Sequence, residues 1–381
     1  MKNWVEISGT RLAENFRATR TAAGSEVEIL AVIKADGYGH DAMLCAPVLT
    51  KAGARWLGVT DVEEGAKVRA ALGEGGTRIM VMSGLELADA PALISHGVTP
   101  VVWTAEHVSA MEKAARAAGQ RVSVHVEVDT GMTRQGAAVG GALRSVLERL
   151  VESRWVSCEG LMTHLCCSEV AGAKTTAVSQ KLFAEALAQI AAAGLKPDFV
   201  HIGNTSAVDE GSTMQWVRHQ AKTAGARAMV RAGLSLYGYC LPIEGVADAR
   251  LQPKVKPVLT WKACVLGVRE VEAGTTVGYG ATFVARRRMR VALLAAGYAD
   301  GFRREASSGI GDGWVMIAGQ RAPVVGRVSM NLTVVDVSDI DGVVEEAVLL
   351  GEGVSAEDHA RWAKTIPYEI LCGIRGARLL R

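Results

Sequence analysis

The feature that most constrains the fold is a regular alternation of short β-rich runs and helical segments over residues 10–240. Eight runs are rich in residues that favour strands, and they are residues 28–34, 56–60, 78–83, 98–103, 121–129, 158–164, 199–203 and 229–236. The segments between them have apolar residues at helical spacing, and several end in a glycine suited to a helix C-cap. Strands that alternate with helices pair in parallel, and eight such units predict a closed (β/α)8 TIM-type barrel.

The pattern changes near Cys240-Leu241-Pro242. Short Val-rich runs separated by glycine-bearing turns follow, at residues 255–259, 263–268, 275–277, 289–294, 313–317, 322–328 and 332–337. This pattern predicts a mostly-β second domain. We therefore place the barrel at residues 1–240 and the mostly-β domain at residues 241–381, with residues 1–9 as a candidate to pair with the second domain.

The composition excludes several classes of partner. Lys and Arg number 42 against 40 Asp and Glu, so we expect neither nucleic acid nor an anionic membrane as a partner. The seven cysteines show no disulfide or zinc spacing, which favours a reducing compartment and no metal. Because the sequence has no signal-like or membrane-spanning run, a cytoplasmic location is the default expectation.

One lysine lies where chemistry is expected. The stretch Ala31-Val32-Ile33-Lys34-Ala35-Asp36-Gly37-Tyr38-Gly39-His40 is an apolar strand that ends at the lysine and continues into a glycine-bearing turn. Burial disfavours the ammonium form, so a lysine at a buried strand end loses its proton more readily than in water. A neutral amine there is suited to Schiff-base chemistry, and a lysine that simply caps the strand is the alternative.

Polar residues at the C-terminal ends of barrel strands are the candidates for a site, because active sites of such barrels lie there. They are Lys34 and Tyr38 at the first run, Arg134 after the fifth, His164 at the sixth, His201 and Asn204-Thr205-Ser206 at the seventh, and Arg231 in the eighth. Each has a structural alternative, such as a core histidine, a helix N-cap or a strand clamp. Their shared position predicts a single site.

Two late segments suggest a cofactor. Residues 204–206 and the Gly233-Leu234 backbone lie where barrel loops often bind phosphate through N–H groups. A phosphate site together with an imine-forming lysine points to pyridoxal 5′-phosphate. Gly278-Tyr279-Gly280, in the second domain, is either an ordinary turn or a functional tyrosine between two glycines.

The chain resembles the alanine racemases, which are fold-type III pyridoxal phosphate enzymes. Besides the lysine stretch, the resemblance rests on six further motifs. They are Val128-Asp129-Thr130-Gly131-Met132-Thr133-Arg134, Gly160-Leu161-Met162-Thr163-His164, His201-Ile202-Gly203-Asn204-Thr205-Ser206, Val230-Arg231-Ala232-Gly233, Gly278-Tyr279-Gly280-Ala281-Thr282 and Gly326-Arg327-Val328-Ser329-Met330-Asn331. The order of barrel and β domain is also that of the family.

The resemblance implies a homodimer with shared active sites that makes D-alanine, a peptidoglycan precursor. Lys34 would hold the cofactor and act as the base on one face of the substrate, and Tyr279 of the partner subunit would act on the other face. Arg231 would face the pyridine nitrogen without giving up its proton. It would also support the tyrosine through His164.

The resemblance also implies the binding residues. The cofactor would contact Lys34, Tyr38, His164, Asn204, Thr205, Ser206, Arg231, Gly233 and Leu234. The substrate carboxylate would meet Arg134 and the backbone of Met330, in the charge-assisted way that arginine favours.

Three departures from the family pattern bear on the substrate. Glu127 stands where many members have a carbamylated lysine, and we expect it to orient Arg134. Asn331 replaces the usual aspartate, and Gly376 falls about where a tyrosine often reaches the phosphate. A larger pocket would admit serine, so a broad-specificity or serine racemase is the alternative. A decarboxylase and a cofactor-binding protein without turnover are disfavoured by Tyr279, and the latter also by the β domain.

Overall fold

The structure is a computed structural model and describes residues 1–73, 75–245 and 249–381. These residues form two compact units. The barrel unit comprises Arg11–Gly37 and Ala42–Lys256, and the β unit comprises Met1–Thr10, Tyr38–Asp41 and Pro257–Arg381. Within the described part of the chain, no helix is both long and apolar enough to cross a membrane.

The barrel unit is built on a closed sheet of eight parallel strands among its described residues. In chain order the strands are Glu28–Val32, Trp56–Val59, Arg78–Val81, Thr99–Val102, Val122–Asp129, Val156–Met162, Phe199–Gly203 and Arg227–Ala232. Each strand pairs with the next, and the last pairs with the first, with Arg231 opposite Leu30 and Ala232 opposite Ala31. A further two-residue strand, Ala137–Ala138, pairs with the end of the fifth. The predicted (β/α)8 barrel is confirmed.

Helices surround these strands. They are Gly9–Ala23, Ala42–Lys51, Val62–Leu72, Ala90–Ser95, Ala105–Ala118, Gly141–Glu152, Lys174–Ala192, Thr205–Glu210 and Ser212–Thr223. Local signals in the sequence begin and end them. Asp61 and Thr104 cap two helices by accepting hydrogen bonds from backbone N–H groups of the first turn. Gly119 ends a helix with a φ of 64°, a conformation that a residue without Cβ adopts at little cost.

The strands are apolar on both faces, which explains their unbroken hydrophobic runs. Every residue of Glu28–Val32, Trp56–Val59 and Phe199–Gly203 is buried. A barrel strand is covered by helices outside and by the other strands inside, so it does not alternate between apolar and polar residues. A polar residue in or just after such a run is therefore placed in a largely apolar surrounding.

The β unit contains an eight-stranded sheet and a short hairpin among its described residues. The strands of the sheet are Asn3–Ile7, Leu259–Val271, Met289–Leu294, Trp314–Ile317, Gln320–Pro323, Thr333–Asp336, Glu346–Leu350 and Ala377–Leu380. The hairpin pairs Thr276–Val277 with Phe283–Val284, and the helices are Ala356–Ala363 and Pro367–Gly373. Asn3–Ile7 lies between Leu259–Val271 and Ala377–Leu380, so the terminal strands of the chain are neighbours. The prediction of a mostly-β second domain is confirmed.

Two details differ from the sequence prediction. The run at residues 255–259 is a strand only from Leu259 onward, because Pro257 has no N–H to donate and the Val255 N–H bonds to Leu251 in a turn. The C-terminal part of the β unit begins at Pro257, whereas the sequence pattern places the start of the second domain at residue 241. The segment before Pro257 is tied to the barrel unit, where the Leu251 N–H donates to Oδ1 of Asp209 at 2.7 Å.

Candidate active site

The backbone turns left-handed immediately after Lys34. Ala35, Asp36 and Gly37 have φ values of 53°, 54° and 64° and ψ values of 51°, 48° and 39°. The Gly37 N–H donates to the carbonyl of Ile33 at 2.8 Å, which closes one left-handed helical turn. Each non-glycine residue in this conformation costs roughly 1 to 2 kcal/mol. The turn must therefore be held by contacts with other parts of the chain.

Polar contacts with the second strand and its helix hold this turn. The Asp36 N–H donates to Oε1 of Glu64 at 2.8 Å, and Oδ1 of Asp36 accepts from the Ala42 N–H at 2.9 Å. Oε2 of Glu64 also accepts from the Thr60 N–H at 2.7 Å. Glu64 thus joins the end of the second strand to the turn after the first. Strained backbone fixed in this way is typical of functional sites, and here it fixes the backbone beside the lysine.

Tyr38 follows the turn and belongs to the β unit. Its ring lies 5.9 Å from that of Tyr368, with the two planes inclined by 41°. Burial raises the pKa of Tyr38 above its ordinary value, and nearby Tyr368 and Cys372 raise it further. Tyr38 therefore keeps its proton at neutral pH and can donate a hydrogen bond to an anion.

Arg231 is buried in the last barrel strand and makes several hydrogen bonds. Nη2 donates to the carbonyl of Thr163 at 2.7 Å and to Nδ1 of His164 at 2.9 Å. Nη1 donates to Nδ1 of His201 at 3.2 Å and to the carbonyl of the same residue at 3.3 Å. A guanidinium has only donors, so both histidines must present an unprotonated Nδ1. The structure thus brings together Arg231, His164 and His201, which the sequence predicted from strand ends.

The hydrogen bonds continue from His201 across the barrel interior. Because its Nδ1 accepts, neutral His201 carries its proton on Nε2 and donates to Nδ1 of His125 at 2.9 Å. His125 then carries its proton on Nε2, which lies 3.5 Å from Oε2 of Glu159. Glu159 accepts two hydrogen bonds from Arg78, at 2.8 and 2.7 Å. We call Arg231, His201, His125 and Glu159 the interior chain. Its hydrogen bonds run from Arg231 to His201 and from His201 to His125, and Nε2 of His125 faces Glu159.

Burial keeps the histidines of this region neutral. It lowers the pKa of His164 to about 3, and the positive charges of Arg231, Arg134 and Lys34 contribute. Burial also holds the pKa of His201 well below its ordinary value. A neutral ring is the form that can accept a hydrogen bond from Arg231, so the electrostatics agree with the hydrogen-bond directions.

The two ends of the interior chain remain charged. Burial lowers the pKa of Arg231 to about 10, opposed by the negative charge of Glu127, so the guanidinium stays protonated at neutral pH. Burial would raise the pKa of Glu159, but hydrogen bonds and charges of His125 and Arg78 outweigh it and hold the value at about 2. A cation and an anion therefore lie at opposite ends of two neutral rings.

The seventh and eighth strands end in a compact arrangement of backbone N–H groups. Oγ1 of Thr205 accepts from the N–H groups of Gly233 and Ser235, at 3.2 and 3.4 Å. Asn204 is the N-cap of Thr205–Glu210 and accepts from the Ala207 N–H. A helix N-cap is the structural alternative to a site residue here. A short 3-10 helix, Leu234–Tyr237, begins beside this helix. Two helix N-termini therefore lie close together, an arrangement that favours an anion.

Ser206 does not direct its hydroxyl to the same place. Its Oγ donates to Oε1 of Glu169 at 3.1 Å. Among the three predicted residues of this segment, Thr205 is thus the one whose side chain is joined to the Gly233 backbone.

The loop after the fifth strand is folded around Asp129. Its Oδ1 accepts from the N–H groups of Gly131, Met132 and Thr133, at 2.9, 3.1 and 3.0 Å. The loop leads to Arg134, which is exposed. This carboxylate therefore shapes the backbone that carries the predicted substrate-binding arginine.

The buried carboxylate of Glu127 is bonded to a neighbouring glutamine. Its side chain accepts a hydrogen bond from Nε2 of Gln135, which also donates to the carbonyl of Met82 at 2.9 Å. Burial raises the pKa of Glu127, and the charges of Arg231 and Arg134 oppose this. Glu127 is thus hydrogen-bonded to Gln135 and interacts with Arg134 through charge. That it orients Arg134 stays a prediction.

In the β unit, Tyr279 and Met330 lie on the surface. Their side chains are 69% and 56% exposed. Gly278 and Gly280 have φ values of 76° and 72°, so both flanking glycines are in a conformation that other residues rarely adopt. The turn presents the tyrosine outward from its own unit.

Sequence reasoning missed His125, Glu159 and Gln135. The available signal was a polar residue within an apolar strand, because buried polar groups need partners. Gly160 gives a second signal, since a Cβ at this position would lie 2.2 Å from Nδ1 of His125. A glycine here leaves room for the imidazole.

We expect His201→Gln to retain the interior chain and to reduce the acid sensitivity of the fold. A glutamine accepts from Arg231 through its oxygen and donates to His125 through its nitrogen. The folded-state pKa of His201 lies far below the unfolded value, so stability falls as the pH drops below about 6.5. Without this residue, the slope of unfolding free energy against pH should decrease by up to about 1.4 kcal/mol per pH unit.

Urea unfolding followed by tryptophan fluorescence from about pH 7 to about pH 4 measures this slope. His219→Gln is the matched control, because His219 is exposed, and it should leave the slope unchanged. An equal change in both variants, or none in either, would contradict the assignment.

Two family models match the chain. The model described as the alanine racemase N-terminal domain matches residues 7–241, and the alanine racemase C-terminal domain matches residues 258–381. Among curated relatives, the alanine racemase of Symbiobacterium thermophilum is 36% identical over 380 residues, which cover 97% of this chain and 94% of the relative. That of Syntrophobacter fumaroxidans is 33% identical over 382 residues, covering 98% and 95%.

Solved structures agree with these matches. The alanine racemase from Streptomyces coelicolor A3(2) has a TM-score of 0.89 and 30% identity, covering 100% of this chain and 98% of its own. The alanine racemase from Bartonella henselae with covalently bound pyridoxal phosphate has a TM-score of 0.84 and 26% identity, covering 100% of both chains. Over both of its domains, the chain is therefore a member of the alanine racemases, a family of isomerases.

Proposed function

We propose that the chain interconverts L- and D-alanine with pyridoxal 5′-phosphate and two bases, Lys34 on one face of the substrate and Tyr279 of the partner subunit on the other. The observation that carries the proposal is the pairing of the first barrel strand with the last. It brings the strand that leads to the lysine beside the strand that carries a buried arginine. The names of the relatives support alanine, and the Bartonella henselae structure supports the cofactor.

The residues of the barrel fit this cofactor. Lys34 would hold it, at a strand end whose following turn is fixed by Glu64. The Gly233 N–H already donates to Thr205, so the Leu234 N–H is the stronger candidate for the phosphate. Asn204 and Ser206 shape the start of the helix Thr205–Glu210. Tyr38, from the β unit, would add a hydroxyl donor. When bound, pyridoxal 5′-phosphate supplies an electron-withdrawing ring that makes the α-hydrogen of an amino acid easier to remove.

Arg231 would meet the ring nitrogen as a donor that keeps its proton. Its pKa, about 10, and its donor-only chemistry mean that it offers a hydrogen bond without transferring a proton. Arg231 would therefore leave the ring nitrogen unprotonated, which would favour return of the proton to Cα over side reactions.

His164 would connect Arg231 to the second base. Its Nδ1 accepts from Arg231, so neutral His164 carries its proton on Nε2. This N–H can donate to the oxygen of Tyr279 of the partner subunit once that oxygen has lost its proton. His164 itself stays neutral, because burial holds its pKa at about 3.

The exposed side chains of the β unit support a homodimer with shared sites. Tyr279, Met330 and Tyr298 are 69%, 56% and 43% exposed. Large exposed apolar side chains of this kind often mark an interface. A second copy would cover them and place Tyr279 at the partner's barrel. A cytoplasmic role in supplying D-alanine for peptidoglycan is part of the same proposal.

The substrate carboxylate would be held by Arg134 and by the backbone of Met330. A carboxylate only accepts hydrogen bonds, so the Met330 N–H is the backbone group proposed for it. Asn331 removes a charge that the family pattern places near this carboxylate, and Gly376 removes the bulk of a tyrosine that it places near the phosphate. A broad-specificity or serine racemase is therefore the second candidate.

Purified enzyme saturated with pyridoxal 5′-phosphate should convert L-alanine to an equal mixture of enantiomers, because the two enantiomers have equal free energies in water and a racemase catalyses both directions. Chiral chromatography of a set of L-amino acids measures this directly. Lys34→Ala is the control and should lower the rate by about a thousandfold or more, because it removes a base and the cofactor-holding amine. If serine reacted faster than alanine, the second candidate would replace the first.

Tyr279→Phe should impair proton exchange from one enantiomer more than from the other, by about tenfold or more, because it removes the base on one face. The measurement is solvent-deuterium incorporation into L- and D-alanine, with the cofactor spectrum recorded to verify binding. Val343→Ala alters a 70% exposed side chain of the β unit to which the proposal gives no role, and as the control it should change neither rate. Equal losses from both enantiomers would show that Tyr279 is not a face-specific base.

Mixed dimers test whether the site is shared. A dimer of one Lys34→Ala chain and one Tyr279→Phe chain has one intact site if the two bases come from different chains. It should therefore recover about half of the wild-type activity per dimer, since one of two sites is complete.

The control is a dimer of one wild-type chain and one chain with both substitutions. In this dimer a shared site is never complete, so activity should be close to that of the single variants. The reverse pattern, with activity only in the control, would mean that each chain uses its own tyrosine.

A further inference from the structure

A second concave surface of the barrel unit lies away from the predicted active site. A cavity of about 780 Å³ is lined by Ser109, Glu112, Lys113, Arg116, Arg121, Arg149, Glu152, Arg154 and Trp155. These residues belong to Ala105–Ala118, to Gly141–Glu152 and to the segments that lead into Val122–Asp129 and Val156–Met162. The cavity is therefore at the N-terminal ends of the strands, opposite to the end where barrel chemistry occurs. We call it the basal cleft.

The basal cleft has an excess of positive charge. Arg149 is bonded to the two acidic residues of the lining, with Nη2 on Glu112 and Nη1 at 3.4 Å from Glu152. The other cations, which take part in no ion pair among the described residues, are Lys113, Arg116, Arg121 and Arg154. Two helices end at the cleft, and each C-terminus contributes about half a negative charge. Together the two helix ends carry about one negative charge, which offsets about one of these four positive charges. The cleft keeps a positive excess.

The shape and the side chains favour a small phosphate ligand over a large partner. A volume of about 780 Å³ is in the range of small-molecule sites, which is roughly 300 to 1,000 Å³. Arginine presents a planar fork of donors that matches phosphate oxygens. Trp155 adds a half-buried aromatic ring, on which a flat base can stack. A duplex or a membrane surface would instead call for a broad basic face.

We propose that the basal cleft binds a small polyphosphate, either an inorganic polyphosphate or the phosphate tail of a nucleotide. Arg116, Arg121 and Arg154 bind the phosphate oxygens, and Lys113 adds a point charge. The site is independent of the proposed active site, so its occupancy does not require substrate.

Isothermal titration of the cofactor-saturated enzyme with tripolyphosphate, ATP and adenosine tests the proposal. Tripolyphosphate should bind at one site per chain, and an increase in salt from about 50 mM to about 200 mM should weaken binding by about tenfold or more. ATP that binds more tightly than tripolyphosphate would identify a nucleotide site, and equal affinities would identify an inorganic polyphosphate site. Either result supports the proposal, whereas adenosine that binds as tightly as ATP overturns it.

Arg116→Glu combined with Arg154→Glu should weaken tripolyphosphate binding by about tenfold or more, because two forks for phosphate are replaced by carboxylates. Lys67→Glu combined with Arg144→Glu changes the net charge equally at exposed positions outside the cleft and should alter the affinity by less than about threefold. Racemase activity and the cofactor spectrum verify that both variants are folded. The proposal is overturned if the wild-type enzyme shows no saturable binding at about 1 mM ligand, or if both double variants lose binding equally.

Discussion

The hydrogen bonds between the first and last barrel strands are the constraint on which the candidate site depends. They set Ala232 opposite Ala31, and with this register they fix how far Lys34 lies from Arg231 along the barrel axis. Neither residue is near the other in sequence. A one-residue shift in this pairing would turn the arginine from the interior to the helices, because successive side chains of a strand point to opposite faces. The closure of the sheet is thus a condition for the chemistry as well as for the fold.

A buried arginine is costly, and the barrel offsets this cost mainly with neutral acceptors. Removing such a cation from water costs several kcal/mol unless its donors are satisfied. Arg231 donates to two imidazoles and two carbonyls, while the negative charge that raises its pKa is that of Glu127. A carboxylate bonded directly to Arg231 would compete with any ligand for its charge. Neutral acceptors satisfy its donors and leave that charge available toward the barrel mouth.

The sequence predicted the parts of the site that depend on local pattern. Lys34 follows an unbroken apolar strand, and Thr205 and Gly233 follow two others, so their positions at strand ends could be inferred. The positions of His125 and Glu159 could not be inferred, because their contact joins two adjacent strands. The face of the strand on which each side chain lies depends on the register of the barrel. The left-handed turn was also hidden, since neither Ala35 nor Asp36 favours such a backbone. It is held by a local hydrogen bond from the Ala42 N–H to Asp36 and by Glu64, whose contact exists only after the first two strands have paired.

Tyr279 points outward from its own unit, so a chain can complete its fold before the proposed site is complete. Its turn is set by two glycines within its own unit, so a single chain can reach this conformation alone. In the proposed dimer, the residue does its work in another molecule. Activity then depends on an encounter between two folded chains, and at low abundance it rises more steeply than the amount of protein. Synthesis rate would therefore act on this enzyme twice, through the number of chains and through the fraction that is paired.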